Sequence, residues 1–324
     1  MTSAFDERAQ IESAAQVLRA GGLVAFPTET VYGLGADAEN TRAVERVFEA
    51  KGRPATHPLI VHLGRPEQLG EWAQDVPAAA WLLAERFWPG PLTLVVRRSP
   101  RVPLAVTGGL ETVALRVPAH PTALALLAAF GGGVAAPSAN RFGSISPTTA
   151  RHVREELGDR VDLVVDGGAC HVGVESTIVD VTGAEPRILR PGGITREDLE
   201  AALDRAVPAA GAAGPRAPGQ HPSHYAPRAR VLLAAPAEVV REGARQQALG
   251  RRVGVLLPAG ERAAAGQEAI PVPPSLEEYA RSLYDLLREF DRRRCDVIVA
   301  SVPPAEGLGD AIADRLRRAA GPRG

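Results

Sequence analysis

The sequence predicts an α/β protein of two domains, and three observations carry that prediction. Short apolar runs at residues 23–26, 92–97, 253–257 and 297–300 alternate with amphipathic helical stretches at 41–50 and 276–293, a pattern of sheets covered by helices rather than of a bundle or sandwich. At 324 residues the chain is too long for one typical core. From Val207 to Pro222 the composition turns to Ala, Gly and Pro with no apolar period, which marks a linker. The resulting division is a larger domain over 1–206, a connecting segment over 207–227 and a smaller domain over 228–324.

The elements follow in chain order. Ile11, Ala14, Ala15 and Leu18 have helical spacing, and Gly21-Gly22 ends that helix. Residues 23–26 form a buried strand that exits through Pro27-Thr28-Glu29-Thr30-Val31-Tyr32-Gly33-Leu34-Gly35, rich in hydroxyls and closed by glycines that permit close backbone approach. The helix over 41–50 turns Val44, Val47 and Phe48 inward and stops at Lys51-Gly52-Arg53-Pro54, a cation, a glycine and a proline in the order of an ordinary helix end. Residues 57–63 read as a strand with Ile60 and His62 on one face and Leu59, Val61 and Leu63 on the other. A lone strand histidine is usually structural, so His62 needs support from elsewhere. Residues 77–87 form an amphipathic helix carrying Trp81, read as a core aromatic, before the rigid turn at 88–91. Strands at 92–97 and 113–117 follow, the second with Arg116 among apolar neighbours. A buried arginine requires an anionic partner, either a protein carboxylate or a ligand.

A helix over 121–130 leads to Val134-Ala135-Ala136-Pro137-Ser138-Ala139-Asn140, where a short strand delivers Ser138 and Asn140 to one side of an extended backbone. Ser146-Pro147-Thr148 reads as a helix start, with Ser146 as cap and Pro147 in the first turn, and a helix start suits an anion. On these residues alone a surface loop with an ordinary cap remains the alternative. Strands at 161–166 and from Glu175 and Ser176 to Asp180, a second arginine-turn at Arg190-Pro191-Gly192, and a helix capped by Thr195 complete the first domain. The last domain reads strand 231–234, helix 237–249, strand 253–257, helix 276–293, strand 297–300, helix 309–319, a small parallel sheet with helices on its faces.

Charge and composition narrow the function. Net charge is −1 with 23% charged residues, so no global basic field recruits nucleic acid. No long apolar run and no leader pattern are present, which reads as a cytoplasmic protein with no membrane segment. The two cysteines, Cys170 and Cys295, have no ligand-spaced neighbours. Of 37 basic residues a single one is lysine, Lys51. In a chain that uses arginine by default, that position points to a compact ammonium that a planar guanidinium does not replace.

Taken together, residues 27–35, Lys51-Gly52-Arg53-Pro54, Pro58-Leu59-Ile60-Val61-His62, Pro137-Ser138-Ala139-Asn140, Ser146-Pro147-Thr148, Ser176-Thr177-Ile178-Val179-Asp180 and Leu189-Arg190-Pro191-Gly192 resemble the YrdC-like family of L-threonylcarbamoyladenylate synthases. The likeness spans about 5–203, and His224-Tyr225-Ala226-Pro227 with the last domain resembles the family's long, two-domain form. The resemblance implies a YrdC-like twisted mixed sheet followed by a smaller Rossmann-like parallel α/β domain. It implies conversion of L-threonine, bicarbonate and ATP to L-threonylcarbamoyladenylate and pyrophosphate, with Mg²⁺, for threonylcarbamoyladenosine modification of tRNA. It assigns Lys51 and Arg53 as the catalytic cations, and places Thr30, His62, Arg116, Ser138 and Ser176 around threonine and its carbamate. It places Arg53, Thr112, Asn140, Thr148, Arg190 and His224 around ATP, and assigns no residue to a metal. His57 departs from the asparagine common before Pro58. The segment 218–227 is expected to close over the nucleotide, and tRNA or a downstream threonylcarbamoyl transferase are the expected partners.

Two alternatives stand beside this reading. A carbamoyladenylate-forming carbamoyltransferase would use a related module, but carries acylphosphatase and cysteine-rich segments for which two cysteines leave no room. A non-catalytic RNA-binding module would use Arg292-Arg293-Arg294 or Arg315, Arg317 and Arg318 as phosphate contacts.

Overall fold

The computed structural model describes residues 4–210, 218 and 224–322. The chain divides into two compact units, one of Met1–Phe142, Pro147–His171 and Glu175–Gln220, the other of Gly143–Ser146, Val172–Val174 and His221–Gly324. Two short stretches from within 1–206 thus group with the second unit. Much of the segment expected to close over a nucleotide, 219–223, lies outside the described residues, as do 211–217 of the linker.

The first unit is built on a mixed ten-stranded sheet. Its strands lie in the order Arg187–Arg190, Thr177–Asp180, Leu92–Arg98, Thr112–Arg116, Ile60–His62, Val134–Ala135, Gly33–Asp37, Val24–Phe26 and Leu163–Val164, with Ala73–Gln74 pairing off Leu92–Arg98. Gly33–Asp37 is itself a strand, where the sequence predicts only the exit from residues 23–26. Its two glycines mimic a turn, yet Gly35 is glycine because a Cβ there would come within 2.7 Å of Val134 and 2.8 Å of Phe26.

Strand alternation sorts this sheet into two unlike faces. One face presents Val61, Leu94, Val96, Val113, Leu115, Ala135 and Val179 to the main core, which the helices Thr41–Lys51, Ala78–Phe87, Ala150–Leu157 and Arg196–Leu203 cover with Val44, Leu83, Val153 and Leu199. The opposite face is covered at one end by the helices Ala4–Arg19 and Pro121–Phe130, whose Leu18 and Leu126 pack on Phe26 and Val134. Beyond them, among the described residues, lies a small apolar floor of Ile60, Val95, Ala114, Ile178 and Leu189. The polar residues His62, Thr93 and Arg116 of the same strands, and Ser176 just before Thr177–Asp180, alternate onto that floor's side.

Local corrections have local causes. The helix after the Ser-x-Asn loop begins at Ala150, capped by Thr149 whose Oγ1 accepts from His152 N at 3.3 Å. Ser146 and Pro147 do not start it, because the Pro147 carbonyl is held by Tyr32 N at 2.9 Å in an extended run. Trp81 is not a core residue: it is 43% exposed on the outer side of its helix, whereas Trp72 and Trp88 are buried.

The second unit has a parallel four-stranded sheet in the order Arg230–Leu233, Val297–Ala300, Val253–Leu257, Glu268–Pro271, with the helices Val239–Ala248, Leu276–Arg292 and Gly309–Ala319. The strand Glu268–Pro271 is an addition to the elements the sequence predicts; it is a half-buried edge with a proline, lacking the apolar run of a central strand. Arg315, counted above with a surface basic cluster, is fully buried, its Nη1 donating to Asp314 at 2.7 Å and its guanidinium 5.1 Å from the Tyr225 ring.

Candidate active site

The lone lysine sits where its helix ends. Gly52 adopts φ 64° and closes the helix, its N–H donating to Glu49 O and that of Arg53 to Phe48 O. The stop motif and the functional pair are therefore one structure: the turn that ends the helix buries Lys51 and Arg53, 3% and 7% exposed. Lys51 Nζ donates to Ser138 O at 2.5 Å and also to Asn140 O, while Phe142 N donates to Lys51 O at 2.8 Å. Two carbonyls two residues apart converge on one point, which a compact ammonium satisfies and a flat fork does not. Burial holds the amine well below its ordinary pKa, Arg53 pushes the same way and Glu156 opposes. Glu156, on the helix Ala150–Leu157, also accepts from Arg141 N at 3.1 Å, so that helix braces the same loop. Arg53 donates from Nη2 to Pro58 O at 2.9 Å and lies 5.8 Å from the Phe142 ring.

The loop between the strands Val24–Phe26 and Gly33–Asp37 ties these residues to the rest. Tyr32 O accepts from Ala139 N, Tyr32 N donates to Pro147 O, and Gly33 bridges Ser138. Thr148, two per cent exposed, sits beside His152, their Oγ1 and Nδ1 3.4 Å apart. In the same loop Thr30 Oγ1 accepts from Arg116 Nη2 at 3.0 Å and pairs with Thr28 Oγ1 at 2.8 Å.

Arg116 is the centre of the second group. Its strand lies beside Ile60–His62 with His62 opposite it in register. The anionic partner is a protein carboxylate: Nη2 meets Glu29 Oε1 at 2.6 Å, both residues almost wholly buried, while Nε donates to Gly90 O at 3.3 Å. His62 packs edge-on to Phe26, ring centroids 5.9 Å apart, and burial, with Arg116 second, pushes its pKa down to about 3; the imidazole is neutral at pH 7.

The far strands add Ser176 and Arg190. A bulge lets Leu189 and Arg190 together oppose Ile178, which turns Arg190 onto the polar side although Ile188 faces the main core. Its Nη2 donates to Ser176 O at 2.8 Å and Ser176 Oγ at 3.1 Å, and Nη1 to Pro218 O at 3.1 Å. Ser176 Oγ also lies 2.8 Å from Thr93 Oγ1.

The structure thus links Thr30, Lys51, His62, Arg116, Ser138, Asn140, Ser176 and Arg190 through one sheet face and one loop. Thr112, half-buried, lies on Arg116's strand at its other end, four residues or roughly 13 Å from Arg116. His224 belongs to the second unit, where its ring packs 4.2 Å from that of Tyr225. Sequence reasoning passed over Glu29 and Thr93. The signals were an acidic residue amid hydroxyls and a lone threonine inside the apolar run Leu92 to Val96.

Comparison with known proteins identifies relatives of both parts of the chain. A family model described as telomere recombination matches residues 16–192, and one described as the C-terminal domain of threonylcarbamoyl-AMP synthase matches 194–321. The threonylcarbamoyl-AMP synthase of Pyrococcus abyssi is 45% identical, over 98% of this chain and 96% of the relative. The chain belongs to the threonylcarbamoyl-AMP synthase family. The Bacillus subtilis threonylcarbamoyl-AMP synthase is likewise 45% identical, over 97% of this chain and 94% of its own. A crystal structure of P. abyssi Sua5 complexed with L-threonine superposes with a TM-score of 0.91 at 43% identity, covering 97% of this chain and 94% of that one. Membership of the threonylcarbamoyl-AMP synthase family makes the chain an enzyme and accounts for both α/β units.

Proposed function

We propose that this enzyme joins L-threonine, bicarbonate and ATP into L-threonylcarbamoyladenylate and releases pyrophosphate. The observation that carries the reading is two sets of buried cations: Lys51 and Arg53 at the helix end that holds the Ser138–Asn140 loop, and Arg116 beside the buried hydroxyl of Thr30 on the polar sheet face. Threonine's carboxylate meets Arg116, and its hydroxyl and amine meet Thr30, Ser138 and Ser176, with neutral His62 alongside. The amine, having lost a proton, takes up the carbon of bicarbonate as a carbamate with loss of water. A carbamate oxygen then attacks the α-phosphorus of ATP, and the bond to the pyrophosphate oxygen breaks. Two of the three Lys51 N–H groups serve the loop carbonyls, and the third is left for an anionic oxygen. An arriving anion favours the charged amine, offsetting the burial that lowers its pKa. Catalysis is then mainly alignment and charge neutralisation.

ATP is held by Arg53, Asn140, Thr148 and Arg190. Arg190 acts chiefly on Ser176 until a phosphate competes for it. The Mg²⁺ expected with ATP would supply charge neutralisation at the triphosphate, and no residue of the chain is assigned to hold it. The product is a reactive mixed anhydride, which supports a transferase acting on tRNA as the next step. Among the described residues no helix is long and apolar enough to cross a membrane. Pyrophosphate release tests the proposal: it should require threonine and bicarbonate together, and equal release from ATP alone overturns it.

A further inference from the structure

The buried acid beside Arg116 has no part in the chemistry above, and its geometry gives it one. Glu29 is 1% exposed and Arg116 3%. The carboxylate is held at both oxygens, Oε1 by Arg116 Nη2 at 2.6 Å and Oε2 by Ala119 N at 3.0 Å. Ala119 lies just past Arg116's own strand, so the acid grips the arginine and the backbone beyond it. Of the guanidinium's five N–H groups, that on Nε goes to Gly90 O and those on Nη2 to Glu29 and Thr30. Among the described residues no hydrogen bond involves Nη1. The guanidinium plane is fixed from three directions, and one edge is left for a ligand.

We propose that Glu29 is the positioning residue of the substrate-carboxylate site: it orients Arg116 so that Nη1 meets the α-carboxylate of the amino acid. This rests on the reading that Arg116 takes threonine's carboxylate. Because His62 beside it stays neutral, the Glu29 carboxylate balances the one charge that Arg116 brings to this group. A carboxylate then arrives at an arginine that needs no reorientation, with the ordering already done by the fold.

The test is L-threonine binding measured by calorimetry on the full chain. Glu29→Gln keeps the shape and removes the charge; threonine should bind about tenfold weaker or worse, with ATP affinity changed less than about twofold. Glu29→Asp keeps the charge on a shorter arm and should bind threonine better than the Gln variant. A role in packing alone gives the reverse order, because Gln is the better isostere. Threonine affinity within about twofold of wild type in folded Glu29→Gln, or an Asp variant weaker than Gln, overturns the proposal. Should Glu29→Gln fail to fold, the Asp variant decides: less than about fivefold loss supports the role and a larger loss overturns it. Arg116→Lys, run in parallel, separates the two levels. If it loses threonine while Glu29→Gln does not, only the positioning role falls; if it also binds normally, the carboxylate reading beneath it falls.

Discussion

The two faces of the ten-stranded sheet are made by the same strands and have opposite character. Leu92–Arg98 sends Leu94 to the main core and Thr93 to Ser176; Thr112–Arg116 sends Leu115 to the core and Arg116 to Glu29; Ile60–His62 sends Val61 to the core and His62 to the polar side. On the core face each buried aliphatic side chain contributes about 1.5–3 kcal/mol by leaving water. On the other face a buried guanidinium carries a desolvation cost that Glu29 offsets, as the loop carbonyls do for the ammonium at the end of the helix Thr41–Lys51. The lesson is that a two-residue period lets a rigid apolar layer serve directly as the floor of a charged site, so the site inherits its precision from the core beneath it.

That contrast can be broken at either face. The largest effect is expected from Leu94→Ala on the core side, a loss of about 2–5 kcal/mol in unfolding free energy with turnover per folded molecule retained; chemical denaturation beside a pyrophosphate assay checks both halves. Lys51→Arg should reverse the pattern, lowering turnover roughly 100-fold, about 2.7 kcal/mol, because the guanidinium does not fit between two converging carbonyls. Turnover near wild type in that variant means that charge alone suffices.

His62 gives a pH-dependent version of the same contrast. Its native pKa of about 3 lies below the 6.5 of an unperturbed histidine, so above pH 6.5 both native and unfolded chains keep it neutral and it has no effect. As pH falls from 6.5 toward 3 the unfolded chain gains a proton that the native state refuses, and stability is lost by up to about 1.4 kcal/mol per pH unit. His62→Gln should flatten the stability profile in that window and leave it unchanged above; a parallel profile refutes the assignment. The smallest effect is expected of Thr93→Val, which keeps volume and removes the oxygen 2.8 Å from Ser176 Oγ. A loss of about 0.5–1.5 kcal/mol, seen as weaker threonine binding with an unchanged KM for ATP, follows from one hydrogen bond.

Much of this was legible in residue order. The alternation at Ile60 and His62 against Leu59, Val61 and Leu63 is found as read, the helix Pro121–Phe130 has its expected limits, and Thr195 caps its helix by accepting from Asp198 N. The lone lysine was visible from composition alone. What escaped were features whose cause lies far along the chain. Gly33–Asp37 is a strand because Val24–Phe26 and Val134–Ala135 flank it, and Arg190 reaches the polar side through a bulge.

By itself the sequence determined the periodic elements, the helix stop that carries Lys51 and Arg53, and the family, because each rests on neighbours within a few residues or on motifs in fixed order. Only the tertiary structure decided that Glu29 answers Arg116 across 87 positions, that Thr93 meets Ser176 across 83, and that Lys51 closes on the carbonyls of Ser138 and Asn140. The physical reason is that a buried charge must find its partner in space, and sheet pairing, not spacing along the chain, sets which partner is near.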